Sequence, residues 1–301
     1  LREKKQKGYD KNAEVKMMET KAYQETMKKL YDVENHDVLI ASHRGKFSSS
    51  VMENTSLAFL TAIGEGADMV EMDLEETKDG RIVGHHDNDM KRLFHNDGKI
   101  GDYTLEELKA MPVYNYVGEI CVEGIETFDE ILDRLKDKTI LVLDKCWDCW
   151  DKVYELLCEK EMVDQAIFKF YLKDEEPMKW AKTHSDCIFI PMCGDPKLFP
   201  KLLELDECAS VPAVEILPHA VDEPIFSEES FQWLKDHQIK IWCNSLSLAK
   251  RLVYGAGYDD LLSLRYGGDK GWKELVRRGV QILQTDWPYE VSCYLKENKM
   301  R

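Results

Sequence analysis

The chain has no long apolar run. Its apolar strings, such as "VLIA" and "TILVL", fall far short of the roughly 20 residues that a membrane-spanning helix requires. It has no surplus of positive charge either. Asp and Glu number 57 against 41 Lys and Arg, a formal net charge of −16, so its average surface repels a long phosphate backbone, which argues against a nucleic-acid partner. It has no second Cys-x-x-Cys to complete "CWDC", Cys146 to Cys149, and a four-cysteine zinc site therefore lacks half its ligands. Nine cysteines, odd in number and widely spaced, fit free thiols better than a disulfide framework and favour a reducing, cytoplasmic setting. Because the chain starts at Leu1 rather than at a methionine, a removed leader and a secreted protein stay open. There is no internal repeat and no low-complexity tract.

What is present is alternation. At 301 residues the chain is long enough for a well-buried core in one large domain with an insertion. Residues 1–36 are charged and lack proline, which predicts a solvated N-terminal helical arm. Residues 37–301 alternate short β-branched runs with amphipathic stretches: "DVLIASH", "MVEMDLEET", "RIVGHH", "TILVLDK", "QAIFKF", "CIFIPMC", "AVEILP", "IKIWCN" and "VQILQTD". This rhythm predicts a parallel sheet covered by helices and closed into a somewhat irregular (β/α)8 barrel, a TIM barrel. Nine candidates for eight slots leave one strand outside the barrel. Residues 88–127 break the rhythm and read as a small inserted subdomain after His86-Asp87.

The stretch "VEMDLEETKDGRIVGHHD", residues 70–87, carries the chemistry. Strand side chains alternate faces, so Val70, Met72 and Leu74 point toward covering helices while Glu71, Asp73 and Glu75 point into the barrel mouth. Reading Asp79-Gly80 as a two-residue turn sets Lys78 opposite Arg81, Asp73 opposite His86, and His85 on the other face. Carboxylates crowded on one face repel, and a hard divalent ion with oxygen ligands, Mg²⁺ or Ca²⁺, would offset them; an exposed acidic hairpin edge is the alternative.

The run from Ala41 to Asp87 resembles the opening of the glycerophosphodiester phosphodiesterase family: His43-Arg44-Gly45, Glu53-Asn54-Thr55, Glu71 with Asp73, and His86-Asp87. "TILVLDK", "IKIWCN" and "VQILQTDWP" extend the likeness to about residue 295. The resemblance implies a barrel enzyme that uses one divalent cation and two histidines to hydrolyse glycerophosphodiesters to glycerol 3-phosphate and an alcohol. It implies attack by the adjacent glycerol hydroxyl, then opening of a cyclic phosphate by water. Carried over, His43 and His86 are the catalytic pair, His43 assigned as base and His86 as acid in the first step, with the reverse order left open. Glu71 and Asp73 are metal ligands, and Arg44 and Lys145 bind phosphate. Glu53 stands behind the site. Imidazoles, with pKa near 6.5, suit both proton roles.

The chain departs from the family pattern in three places. The third ligand, usually a Glu two positions before a Lys, falls to Asp144. Lys169 replaces a small polar residue, either as a second cation beside the phosphate or as a surface lysine. A segment "GAGYDDLLSLRYGGDKG" reads as a rim loop in which Asp259 and Asp260 either select a cationic head group or are simply solvated. Trp147, Trp150, Trp242 and Trp287 follow strand ends and either line an alcohol pocket or pack in the core. Two other classes compete: a phospholipase- or sphingomyelinase-like lipid phosphodiesterase, which calls for an apolar or basic rim not evident as a sequence run, and a non-catalytic phosphodiester-binding protein, which would have lost a proton donor or ligand.

Overall fold

The computed structural model describes residues 21–115, 117–121, 123–248 and 252–301. Ten strand segments form in chain order: β1 (Leu39–Ser42), β2 (Met69–Glu76), β3 (Ile82–Gly84), β4 (Ile140–Asp144), β5 (Ala166–Phe168), β6 (Ile188–Phe189), β7 (Met192–Cys193), β8 (Ala213–Ile216), β9 (Lys240–Asn244) and β10 (Ile282–Thr285). Nine follow one another in the sheet in the order β6-β5-β4-β2-β1-β10-β9-β8-β7. The two ends of that order are halves of one strand. Ile190 and Met192 donate their N–H groups to Phe168 and Phe170 beside β5, at 3.0 and 2.7 Å. On the other side, the Pro191 carbonyl accepts from Glu215 at 2.9 Å. Proline has no N–H to return that bond, so the ladder breaks at one residue while the strand continues. The result is an eight-stranded parallel (β/α)8 barrel. β3, antiparallel to β2, is the strand left outside it.

Strand alternation divides the core in two. Leu39, Ala41, Met69, Ile140, Val142, Ile167 and Ile282 fill the barrel interior, while Ile40, Val70, Met72, Leu141, Leu143 and Leu283 meet the surrounding helices. The arm read over residues 1–36 is described from residue 21 on. There it forms α1 (Ala22–Tyr31), which packs on the lower end of the barrel through Tyr23 and Leu30 and leaves its other residues partly or fully exposed. Its Tyr23 and Leu30 are buried in the interior cluster, a contribution of roughly 1.5–3 kcal/mol for a side chain such as Leu30. The Tyr23 hydroxyl donates to Asp164 at 2.6 Å.

After His86-Asp87 the chain builds a satellite core from Met90, Leu93, Phe94, Ile100, Leu108, Val113, Cys121 and Ile125, closed by Met52 and Val83. No helix among the described residues is long and apolar enough to cross a membrane. All nine cysteines are free. Burial pushes the Cys146 and Cys149 thiols up, Cys149 to about 12, away from the thiolate that metal binding or redox chemistry uses.

Candidate active site

A cleft of about 100 Å³ opens at the carboxyl ends of the strands, where barrel enzymes carry their chemistry. His43, Arg44, Glu71, Asp73, His86, Asp144, Lys145 and Lys169 all line it. A larger groove of about 520 Å³, lined by residues such as Lys109, Glu123 and Arg134, holds no histidine.

The His43-Arg44-Gly45 turn leaves β1 with Arg44 and Gly45 at φ +54° and +76°. A Cβ on Gly45 would lie 2.7 Å from the backbone of Ala58, so only glycine lets the turn approach the next helix, α2 (Ser56–Gly64). The turn presents the Arg44 N–H to Glu71 Oε2 at 2.9 Å. It also sets the His43 ring, with Nδ1 2.9 Å from Asp286 Oδ1. Burial alone would lower the His43 pKa, but the hydrogen bond to Asp286 and the charges of Glu71 and Asp286 carry it above its ordinary value.

Each residue of Glu53-Asn54-Thr55 has a separate task. Glu53, 5% exposed, accepts a bidentate pair from Arg92, both contacts at 2.7 Å, and a third bond from Arg44 at 3.1 Å. Although burial raises a carboxyl, these two guanidiniums hold Glu53 below its usual range. Asn54 clamps Asp73, donating to Oδ2 and accepting from its N–H, both at 3.0 Å. Thr55 caps α2 through the Ala58 N–H.

The hairpin register differs from the one the sequence predicts. The turn is a three-residue loop, Lys78 to Gly80, closed by Thr77 N–H to Arg81 O at 2.8 Å, with Gly80 at φ +80°. β2 and β3 pair as Leu74↔Gly84 and Glu75↔Val83. Asp73 therefore faces His85, whose N–H donates to the Asp73 carbonyl at 3.0 Å. The strand ends at Gly84, so alternation no longer governs the next residues. His85 is buried, with Nδ1 3.2 Å from Glu75 Oε1. His86 turns to the cleft, with Nδ1 2.7 Å from Asp87 Oδ1. Asp87 is in turn held by Arg92 Nε at 2.6 Å. Burial works against the Asp87 charge, but His86 and Arg92 bring its pKa far below the carboxylate range. Both cleft histidines thus have Nδ1 engaged by a carboxylate, which leaves Nε2 as the ring atom available for proton transfer.

Asp144 ends β4 in register with Asp73 on β2. One Asp144 oxygen accepts the Lys145 N–H at 2.8 Å and the other receives Lys169 Nζ at 3.2 Å. Lys169 is not a surface residue. It is 1% exposed, lies 2.5 Å from Glu215 Oε2 and sits 5.1 Å above the Trp242 ring. Lys145 Nζ reaches the His86 carbonyl at 3.4 Å. Among the described residues no three His, Cys, Asp or Glu side chains already stand as a metal cluster. Asp73 is turned to Asn54 and Arg44, and Asp144 to Lys169. Even so, burial first, then the charge of Asp73 with a smaller part from Asp144, drive the Glu71 carboxyl up to about 8. A buried, all-oxygen donor set in which one carboxyl cannot ionise freely fits a hard divalent cation.

Other expectations are corrected. Asp260 is fully buried beneath the rim and selects no head group, and Asp259 caps the helix Asp260–Tyr266 through the Leu262 N–H. Of the four tryptophans, Trp147 lines the cleft, Trp150 and Trp242 are core, and Trp287 lies under Lys46 at 4.5 Å. The sequence reading missed Asp286, Glu215, Asn54 and Asn244, whose Nδ2 donates to Glu215 Oε1 at 2.7 Å. Asp286 lies in "QTDWP" and Asn54 in "ENT", so motif membership was the available signal. For Glu215 it was a lone acid inside the apolar "AVEILP".

The barrel and this cleft define an α/β-barrel protein with paired histidines over buried carboxylates. Residues 43–170 match the glycerophosphoryl diester phosphodiesterase family. A second profile, described only as a domain of unknown function, matches residues 201–295. A glycerophosphodiester phosphodiesterase of Caldanaerobacter subterraneus is 40% identical over 105 residues, 35% of this chain and 43% of that protein. One from Bacillus altitudinis is 31% identical over 136 residues, 45% of this chain and 54% of that protein. The chain thus spans about half the length of these curated relatives. Among solved structures, a glycerophosphoryl diester phosphodiesterase from Parabacteroides distasonis superposes with TM-score 0.75 at 20% identity, covering 92% of both chains. An Oleispira antarctica phosphodiesterase in complex with sn-glycerol-3-phosphate does so with TM-score 0.66 at 20% identity, covering 88% of this chain and 99% of that one. These two likenesses establish the fold.

Proposed function

We propose that the protein hydrolyses glycerophosphodiesters to glycerol 3-phosphate and an alcohol, with His43 and His86 moving the protons. The observation that carries this reading is that both histidines line one cleft with Nδ1 on a carboxylate, Asp286 for His43 and Asp87 for His86. His43, whose pKa is raised, takes the proton of the attacking glycerol hydroxyl at Nε2. His86 gives a proton to the departing alcohol, and the two exchange roles when water opens the cyclic phosphate. Arg44, Lys145 and Lys169 bring positive charge to the phosphoryl oxygens, and Glu53 fixes the Arg44 guanidinium. Glu71, Asp73 and Asp144 would hold one Mg²⁺ or Ca²⁺. That ion supplies charge neutralisation at the phosphate. The binding-protein alternative is disfavoured because each role keeps a competent side chain.

A substrate with an acyl chain is the second reading. Leu248, Leu252, Leu261, Leu264 and Tyr266 are exposed in the segment between β9 and β10. Leu248 also lines the cleft, an apolar rim that the sequence alone did not reveal. Release of glycerol 3-phosphate from glycerophosphocholine, glycerophosphoethanolamine and glycerophosphoinositol, with Mg²⁺, Ca²⁺ or chelator, tests the first reading, and a lysophospholipid added to the panel tests the second. Metal-dependent release from the water-soluble diesters supports hydrolysis of glycerophosphodiesters. Turnover of the lysophospholipid alone transfers the assignment to lipid, and turnover of none removes both.

A further inference from the structure

We propose that Asp260, in the segment between β9 and β10, is a positioning residue that sets His43 through Thr285 and Asp286. The inference rests on His43 being a proton-transferring group, but the contacts that carry it lie outside the cleft. Asp260 is 0% exposed and does not line the cleft. Its Oδ1 accepts from Ser245 Oγ at 2.7 Å and Trp272 Nε1 at 2.8 Å. Its Oδ2 accepts from Thr285 Oγ1 at 2.9 Å and the Asp286 N–H at 3.3 Å. The two residues on Oδ2 are the two that hold His43. The Thr285 carbonyl accepts the His43 N–H at 3.1 Å, and Asp286 Oδ1 meets the ring at 2.9 Å. One buried carboxylate therefore ties the end of β10 to Ser245 after β9 and to the helix Trp272–Arg278.

Four hydrogen bonds converge on this carboxylate, and no cation among the described residues pairs with it. Burying such a group costs free energy that an apolar side chain would avoid, which argues for a role beyond filling space. The effect on chemistry is geometric. A displacement of Asp286 by a fraction of an ångström turns the His43 ring, and proton transfer depends steeply on that alignment. In Asp260→Asn one oxygen becomes an NH₂ group, so one pair of donors faces another donor.

The test combines kinetics with a crystal structure of full-length Asp260→Asn. Turnover on a glycerophosphodiester is expected to fall about ten-fold or more while KM stays within about two-fold, because the ground-state contacts to substrate are untouched. Added to Asp286→Ala, Asp260→Asn should cost nothing further, since both act through one contact. In the crystal structure the His43–Asp286 contact should open beyond hydrogen-bond reach. A contact still at 2.9 Å, or rate losses that multiply as independent effects, overturns the proposal. Should Asp260→Asn not fold, Thr285→Val, which removes one hydroxyl, is expected to show the same non-additivity and the same opening. The crystallographic arm needs no substrate. A wild-type protein inactive on every glycerophosphodiester would reject the proposed reaction, while the His43–Asp286 distance in the variant would still decide this inference.

Discussion

Asp73 and Asp144 are register partners on the neighbouring strands β2 and β4, which sets two carboxylates side by side at the mouth of the barrel with Glu71 one alternate position below. Each is partly offset by a protein cation, Asp73 by Arg44 Nε at 3.3 Å and Asp144 by Lys169 at 3.2 Å. A divalent ion would compete with those cations for the same oxygens. Asp144→Asn is therefore expected to weaken Mg²⁺ or Ca²⁺ binding and turnover together, with excess metal restoring part of the rate. Calorimetric titration of the folded variant checks this, and unchanged affinity would move the third ligand elsewhere.

The two adjacent histidines should separate by phenotype. His86 lines the cleft, whereas His85 is buried between Glu75 and the insertion, its ring centroid 6.1 Å from that of Phe94. His85→Ala is expected to cost about 1–3 kcal/mol of stability with turnover per folded molecule retained. His86→Ala should do the reverse. Thermal melts and active-site-normalised rates distinguish the two; equal kinetic losses would place His85 in the chemistry.

Lys169 stands between two buried carboxylates, Asp144 and Glu215. Burial works against its charge, but Asp144 and Glu215 hold its pKa well above the lysine range. Lys169→Met leaves both acids unpaired and is expected to destabilise the fold by about 3–5 kcal/mol. Adding Glu215→Gln, which removes one of the stranded charges, should recover part of that loss. Denaturant titration of the single and double variants reads both numbers.

Asp260 provides a pH signature. Burial drives its carboxyl up to about 7 against four hydrogen bonds. Between its ordinary value of 3.8 and about 7 the unfolded chain has released this proton while the folded chain retains it, so rising pH favours unfolding across that window. Asp260→Asn lacks the titration. The difference in melting temperature, wild type minus variant, should fall as pH rises from about 4 to 7, and a difference independent of pH would contradict the shift.

Much of the barrel and the acidic face was legible because β2 is governed by one local rule, alternation, which sends Val70, Met72 and Leu74 to the helices and Glu71 and Asp73 inward. The hairpin was misread by one residue because Asp79-Gly80 suits a two-residue turn. In the structure the Thr77 hydroxyl donates to Asp79 and its oxygen accepts the Arg81 N–H at 2.9 Å, which draws a third residue into the loop. Asp260 was misread because an acid in a glycine-containing segment normally faces water, and its four donors come from residues 12 to 26 positions away. Asp286 reaches His43 across 243 residues, a pairing that no local spacing encodes and that only closure of β10 against β1 creates.

The central claim is that two oriented imidazoles cleave a glycerophosphodiester, and the rate of glycerol 3-phosphate release by wild type, His43→Ala and His86→Ala, measured side by side with saturating divalent metal, tests it most directly. Metal-dependent release by the wild type, with a loss of about 100-fold or more in each folded variant, is the predicted result. No release by the wild type, or a variant that retains most of the rate, would contradict it.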